Sequence, residues 1–87
     1  MSRDTAIASE ISKRFAQFEQ HLKILLERDE NFRSLCKDYQ DSLEAHDRWG
    51  LDKSSVGELR QKEYAELAKE LEQDIRNHLE RFREQQD

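Results

Sequence analysis

The sequence predicts an all-α protein folded as an antiparallel helical hairpin. Three observations carry this. Proline is absent and glycine occurs only at Gly50 and Gly57, so the residues that punctuate strands and loops are confined to one short stretch of 87 residues. Charged residues make up 40% and hydrophobic ones 34%, a profile shared by long exposed helices and by disordered chains. The apolar residues recur at helical spacing, which decides for helices. The length fits a single helical domain over 1–87, with frayed ends expected at 1–4 and 86–87.

The first long helix is expected over about 5–49. A heptad with a at Ala8, Phe15, Leu22, Asp29, Cys36 and Leu43 places d at Ile11, Phe18, Leu25, Phe32, Tyr39 and His46. All but Asp29 and His46 suit one buried seam. Acid-before-base pairs (Glu10 with Arg14, Glu19 with Lys23, Glu44 with Arg48) support the outer face, at about 0.2–0.5 kcal/mol each. Asp29 is the misfit, because an unpaired carboxylate in a core is costly. It fits better as an N-cap after a break or kink near 28–30, with Glu30 in the first turn that follows.

Gly50 suits the left-handed position that ends a helix at Trp49. After Leu51–Ser54, Ser55 and Glu58 form an S-x-x-E capping box, which starts a second helix over about 55–85. So short a connection makes the hairpin antiparallel. Gly57 in the first turn weakens that helix. Tyr64 and Ile75, Leu67 and His78, Ala68 and Leu79, and Leu71 and Phe82 lie eleven apart, a period that favours a nearly straight helix. Packing is therefore expected to be coiled-coil-like but mixed.

Folding the arms about the turn sets Leu43 beside Leu59 or Arg60, Tyr39 beside Ala65 and Cys36 beside Ala68. Ile24, Leu26, Leu35 and Trp49 then lie off the seam. Burying a side chain of this size is worth roughly 1.5–3 kcal/mol, so something should cover them. Either the N-terminal 28 residues fold back and close a three-helix bundle, or a second copy packs on. Association, as a homodimer or small homo-oligomer, is the reading adopted.

No catalytic constellation stands out. His21, His46, His78 and Cys36 show no metal-ligand spacing, and no Gly-rich phosphate loop or nucleophile elbow is present. The protein is expected to be no enzyme and to need no cofactor or metal. Cys36 reads as a small buried hydrophobe. The longest apolar run, Ile24–Leu26, is far too short to span a membrane, and MSRDTAIASE has no secretory core, so a cytoplasmic location is expected. A net charge of −5 argues against general affinity for nucleic acid or anionic lipid. One basic stripe runs the other way, Lys62, Lys69, Arg76 and Arg83, but Glu58, Glu66, Glu72 and Glu80 accompany it.

Phe18, Leu22 and Leu25, followed by Asp29-Glu30-Asn31-Phe32, Leu35 and Tyr39, resemble the YdcH-like family of small bacterial helical-hairpin proteins. In that family a short helix ends at a polar-Pro-x-Phe step, and here Glu30 stands in place of the proline. Glu58-Leu59-Arg60-Gln61-Lys62 and Leu71-Glu72-Gln73-Asp74-Ile75 resemble its second arm. The resemblance spans roughly residues 15–80 and implies a helical hairpin, with no activity or site residues to carry over.

The expected function is an interaction module that self-associates or binds another protein through apolar helix faces. The interface residues expected are Ile24, Leu26, Leu35, Trp49 and Phe82. Trp49 either caps the open end of the hairpin or contacts a partner. The alternatives are a nucleic-acid-associated regulator using the basic stripe and a co-chaperone masking a partner's amphipathic helix.

Overall fold

The computed structural model describes residues 11–86. The expected helix start near residue 5, the ends at 1–4 and residue 87, and the Glu10 pair lie outside them. Within them run a helical turn at 11–14, a 3-10 turn at Ala16–Phe18, and three α-helices. These are α1 (Glu19–Arg28), α2 (Glu30–Trp49) and α3 (Ser55–Gln86). No strand occurs among the described residues. The two long helices pack against each other as the antiparallel hairpin.

The break at Asp29 falls where the misplaced carboxylate predicts it. Asp29 is extended (φ −110°, ψ 104°), and its Oδ1 accepts the Phe32 backbone N–H at 3.0 Å. That bond satisfies one of the donors that open α2, and Glu30 supplies a negative charge to its first turn. The chain turns back here. The segment before Asp29 lies on the hairpin as a third layer, with Ile11, Phe15, Phe18, Leu22 and Leu25 buried against Phe32, Cys36, Tyr39, Ala68, Ile75 and Leu79.

A second interruption, at Phe15–Phe18, has no counterpart in the expected helix, whose one break lies near 28–30. Phe15 leaves the helical region (φ −121°, ψ 47°), and the Phe18 N–H bonds to the Phe15 carbonyl at 2.9 Å. In a 3-10 turn, side chains three apart eclipse. Both phenylalanines therefore point into the core, each less than 2% exposed. Arg76 lies 5.3 Å from the Phe15 ring centroid and Arg83 4.8 Å from that of Phe18.

The expected register of the hairpin is wrong by roughly two turns. Cys36 opposite Ala68 would set Phe32 opposite Glu72, whereas the Phe32 ring meets His78, centroids 6.0 Å apart. At the other end, a Cβ on Gly50 would stand 2.5 Å from Gln61 Nε2. The reason lies in the turn. Beyond Trp49 the chain keeps winding, with Leu51 N–H bonded to the Arg48 carbonyl and Asp52 N–H to that of Trp49. Gly50 itself is right-handed (φ −64°, ψ −19°), so the expected left-handed cap is not formed. Consequently α3 starts above the end of α2, and its first six residues have no helix opposite. At 1.5 Å per residue its 32 residues run about 48 Å, matching the 49 Å length of the molecule.

The cap of α3 is Ser54, one residue before the Ser55 expected. Its Oγ accepts the Gly57 N–H at 3.2 Å, which leaves Glu58 one place too far along to complete a reciprocal box. Asp52 Oδ1 accepts the Ser54 N–H at 2.9 Å. Hydrogen bonds from the Ser54 backbone and hydroxyl hold the Asp52 carboxyl below the usual carboxylate range. This brace is therefore present above the ordinary carboxylate pKa and lost as the pH falls through the lowered one.

Gly57 is required by this loop. A Cβ there would collide with the Asp52 carbonyl and stand 2.7 Å from the Asp52 Cβ. Helix propensity alone would make Gly57→Ala stabilising by up to ~1 kcal/mol. The close approach reverses the sign, and a loss of about 1–3 kcal/mol in urea denaturation is expected. A gain would show that the loop does not press on α3.

Candidate interaction surface

The third layer decides which apolar side chains remain outside. Leu26, Leu35 and Phe82 are partly buried and pack against the core, and Ile24 is half-buried. Trp49 is half-buried near the turn. Of the five residues expected at an interface, none is among the large exposed hydrophobics. His21 fills the joint between layers, its ring 6.5 Å from that of Phe18 and 5.7 Å from that of Phe82.

The basic stripe is divided. Arg76 and Arg83 stack on the phenylalanines of the third layer, a use that cation–π attraction and their long stems both favour. Arg14 answers from the other side, 4.0 Å from Glu72 and 5.9 Å from the Tyr39 ring centroid. Lys62 and Lys69 stay exposed.

Among the described residues, most of the uncovered apolar surface lies toward the turn. The large exposed hydrophobics are Leu51 (82%), Val56 (55%), Leu59 (57%) and Leu67 (40%). Leu51, Val56 and Leu59 belong to the turn and to the part of α3 that overhangs α2. Sequence reasoning missed them because the expected register gave Leu59 a partner in Leu43. The available signal was Leu51 and Val56, apolar residues flanking a polar connection with nothing to pack on.

Beside this end, a cleft of about 710 Å³ opens between α2 and α3. Trp49, Tyr64, Leu67 and Leu71 supply its large apolar surfaces, with Ala45 and Ser42 between them. Among the described residues, Asp38, Asp41, Asp52 and Arg48 stand around it. No described residue of the third layer lines it.

Chemistry is sparse. Among the described residues no group of three or more His, Cys, Asp or Glu is arranged to hold a metal ion. Cys36 is a free thiol with no exposed surface, and burial pushes its pKa up to about 12. No helix among the described residues is long and apolar enough to cross a membrane. Fold and surface together define a small all-α protein: a helical hairpin closed on one side and open beside its turn. No family model, curated protein or solved structure matches the chain.

Proposed function

We propose that this protein is a non-enzymatic helical interaction module of the cytoplasm, which pairs with a second copy through the turn end of its hairpin. One observation carries the reading. The third layer buries Phe32, Cys36, Tyr39, Ile75 and Leu79 along one side of the hairpin, while Leu51, Val56 and Leu59, at and just after the turn, stay exposed. A two-fold axis there apposes the same patch from both copies, the usual geometry of a homodimer. Each of these side chains gains roughly 1.5–3 kcal/mol on full burial. The resemblance to the YdcH-like hairpins agrees with the architecture and leaves the process open. The free thiol of Cys36 suits a reducing compartment.

Sedimentation over a concentration series, with circular dichroism on the same samples, tests the pairing. The wild-type chain is expected as a helical dimer that dissociates on dilution. Leu51→Glu with Leu59→Glu is expected to be a monomer of equal helicity. A wild-type monomer at all concentrations, or a double variant that still dimerises, would refute this interface.

A further inference from the structure

We infer that the cleft between α2 and α3 seats a second copy of this chain. The overhanging start of α3 from one molecule lies antiparallel on α3 of the other, about a two-fold axis between Gln61 and Lys62. The inference rests on the pairing proposed above and gives it a register and a receiving site. Continuity of the apolar surface carries it first. Val56, Arg60, Glu63 and Leu67 follow at steps of four, three and four, so they share one face of α3, with Leu59 and Tyr64 at its borders. Val56, Leu59 and Leu67 are exposed, and Leu67 and Tyr64 also line the cleft, beside Leu71 and Trp49. One uncovered stripe therefore runs from the overhang into the cleft.

Charge then selects the register. About this axis Val56 of each copy opposes Leu67 of the other, Leu59 opposes Tyr64, and Arg60 opposes Glu63. Within one chain Arg60 Nη1 meets Glu63 Oε2 at 3.0 Å, and both side chains are half exposed. Across the axis the same two groups meet again, so two copies close a ring of four alternating charges. Moving the axis to Arg60 sets that guanidinium against its own copy, and moving it to Glu63 sets two carboxylates together. Like charges so placed oppose pairing. The contact is isologous and closes as a dimer, with Val56 and Leu59 of each copy entering the cleft of the other.

Cross-linking tests the register. Val56→Cys/Leu67→Cys is expected to give a disulfide-linked dimer under mild oxidation, and either single variant to stay monomeric on a non-reducing gel. Both positions are exposed, so folding is spared. Residues eleven apart on one helix stand about 16 Å apart, too far for a bridge within the chain. Charge gives a second test. Arg60→Glu and Glu63→Arg should each weaken dimerisation by about tenfold or more at unchanged helicity, and an equimolar mixture of the two should restore it. The first variant carries carboxylates at both positions and the second guanidiniums, so each repels itself and attracts the other. Trp49 is the only tryptophan, and its emission should shift to the blue as the wild type is concentrated through its dimerisation range. A double cysteine variant that links no better than the single ones, a mixture no tighter than its parts, or a Trp49 unmoved by dimerisation would each overturn the inference. A wild-type chain that stays monomeric removes the pairing itself, whereas a dimer that fails these tests loses this register and keeps the pairing at the turn.

Discussion

Phe18→Ala is expected to cost about 3–5 kcal/mol, close to the whole stability of a domain this small. The side chain has no exposed surface, Arg83 stacks on its ring, and His21 meets it edge-on. Truncation leaves a cavity where the third layer meets α3 and also removes the seat of the guanidinium. Thermal melts should fall by roughly 4–8 °C for each kcal/mol lost. The magnitude separates two folds of the same helical content. In an open hairpin Phe18 would lie on a solvated arm, and the change would stay within about 0.5 kcal/mol. A loss that small would mean that the segment before Asp29 does not close on the hairpin.

Cys36 provides the second test, through reactivity. The thiolate is the nucleophile, and burial raises the thiol pKa from 9.0 to about 12. At pH 8 the native chain should therefore alkylate about a thousandfold more slowly than the urea-unfolded chain. Equal rates would place the thiol outside the core. The same shift links stability to pH. Because the folded pKa is raised, the contribution is full below 9.0 and is lost as the pH climbs from there towards about 12. Over that window the unfolded chain has released a proton that the folded one keeps, and stability declines by about 1.4 kcal/mol per pH unit. Cys36→Ala should remove that decline, as measured by urea denaturation at pH 8 and at pH 10.

Local chemistry was readable from single residues, and long-range geometry was not. Asp29 announced its break because a carboxylate on a buried seam has few other uses. Phe15–Phe18 gives no such sign, since the turn there brings two phenylalanines into one core and contains no glycine or proline. The sequence does not separate Ser54 from Ser55 as the cap of α3, because the two are chemically equivalent and the Asp52 brace decides between them. The register failed for a similar reason. The length of the Gly50–Ser54 connection does not reveal that it keeps winding past the end of α2. That slip carried over to the surface. Trp49 stands out by its type, but Tyr64, Leu67 and Leu71 join it only in the true register, and Leu51, Val56 and Leu59 come free only there.

The capped elbow at Asp29 has one more consequence. Neither glycine nor proline enforces it, so a helix running straight through from Glu19 to Trp49 violates no steric rule. In that straightened form α1 would extend about 15 Å beyond α2 and carry Leu22 and Leu25 away from their own hairpin. The nearest surface able to receive them is the same groove on another molecule, and reciprocal exchange would rebuild every core contact between two chains. Such domain swapping leaves helicity and core composition unchanged and alters only the mass. One extended residue, whose carboxylate accepts a 3.0 Å hydrogen bond from Phe32, is thus the point at which the chain reverses and assembles its core within itself.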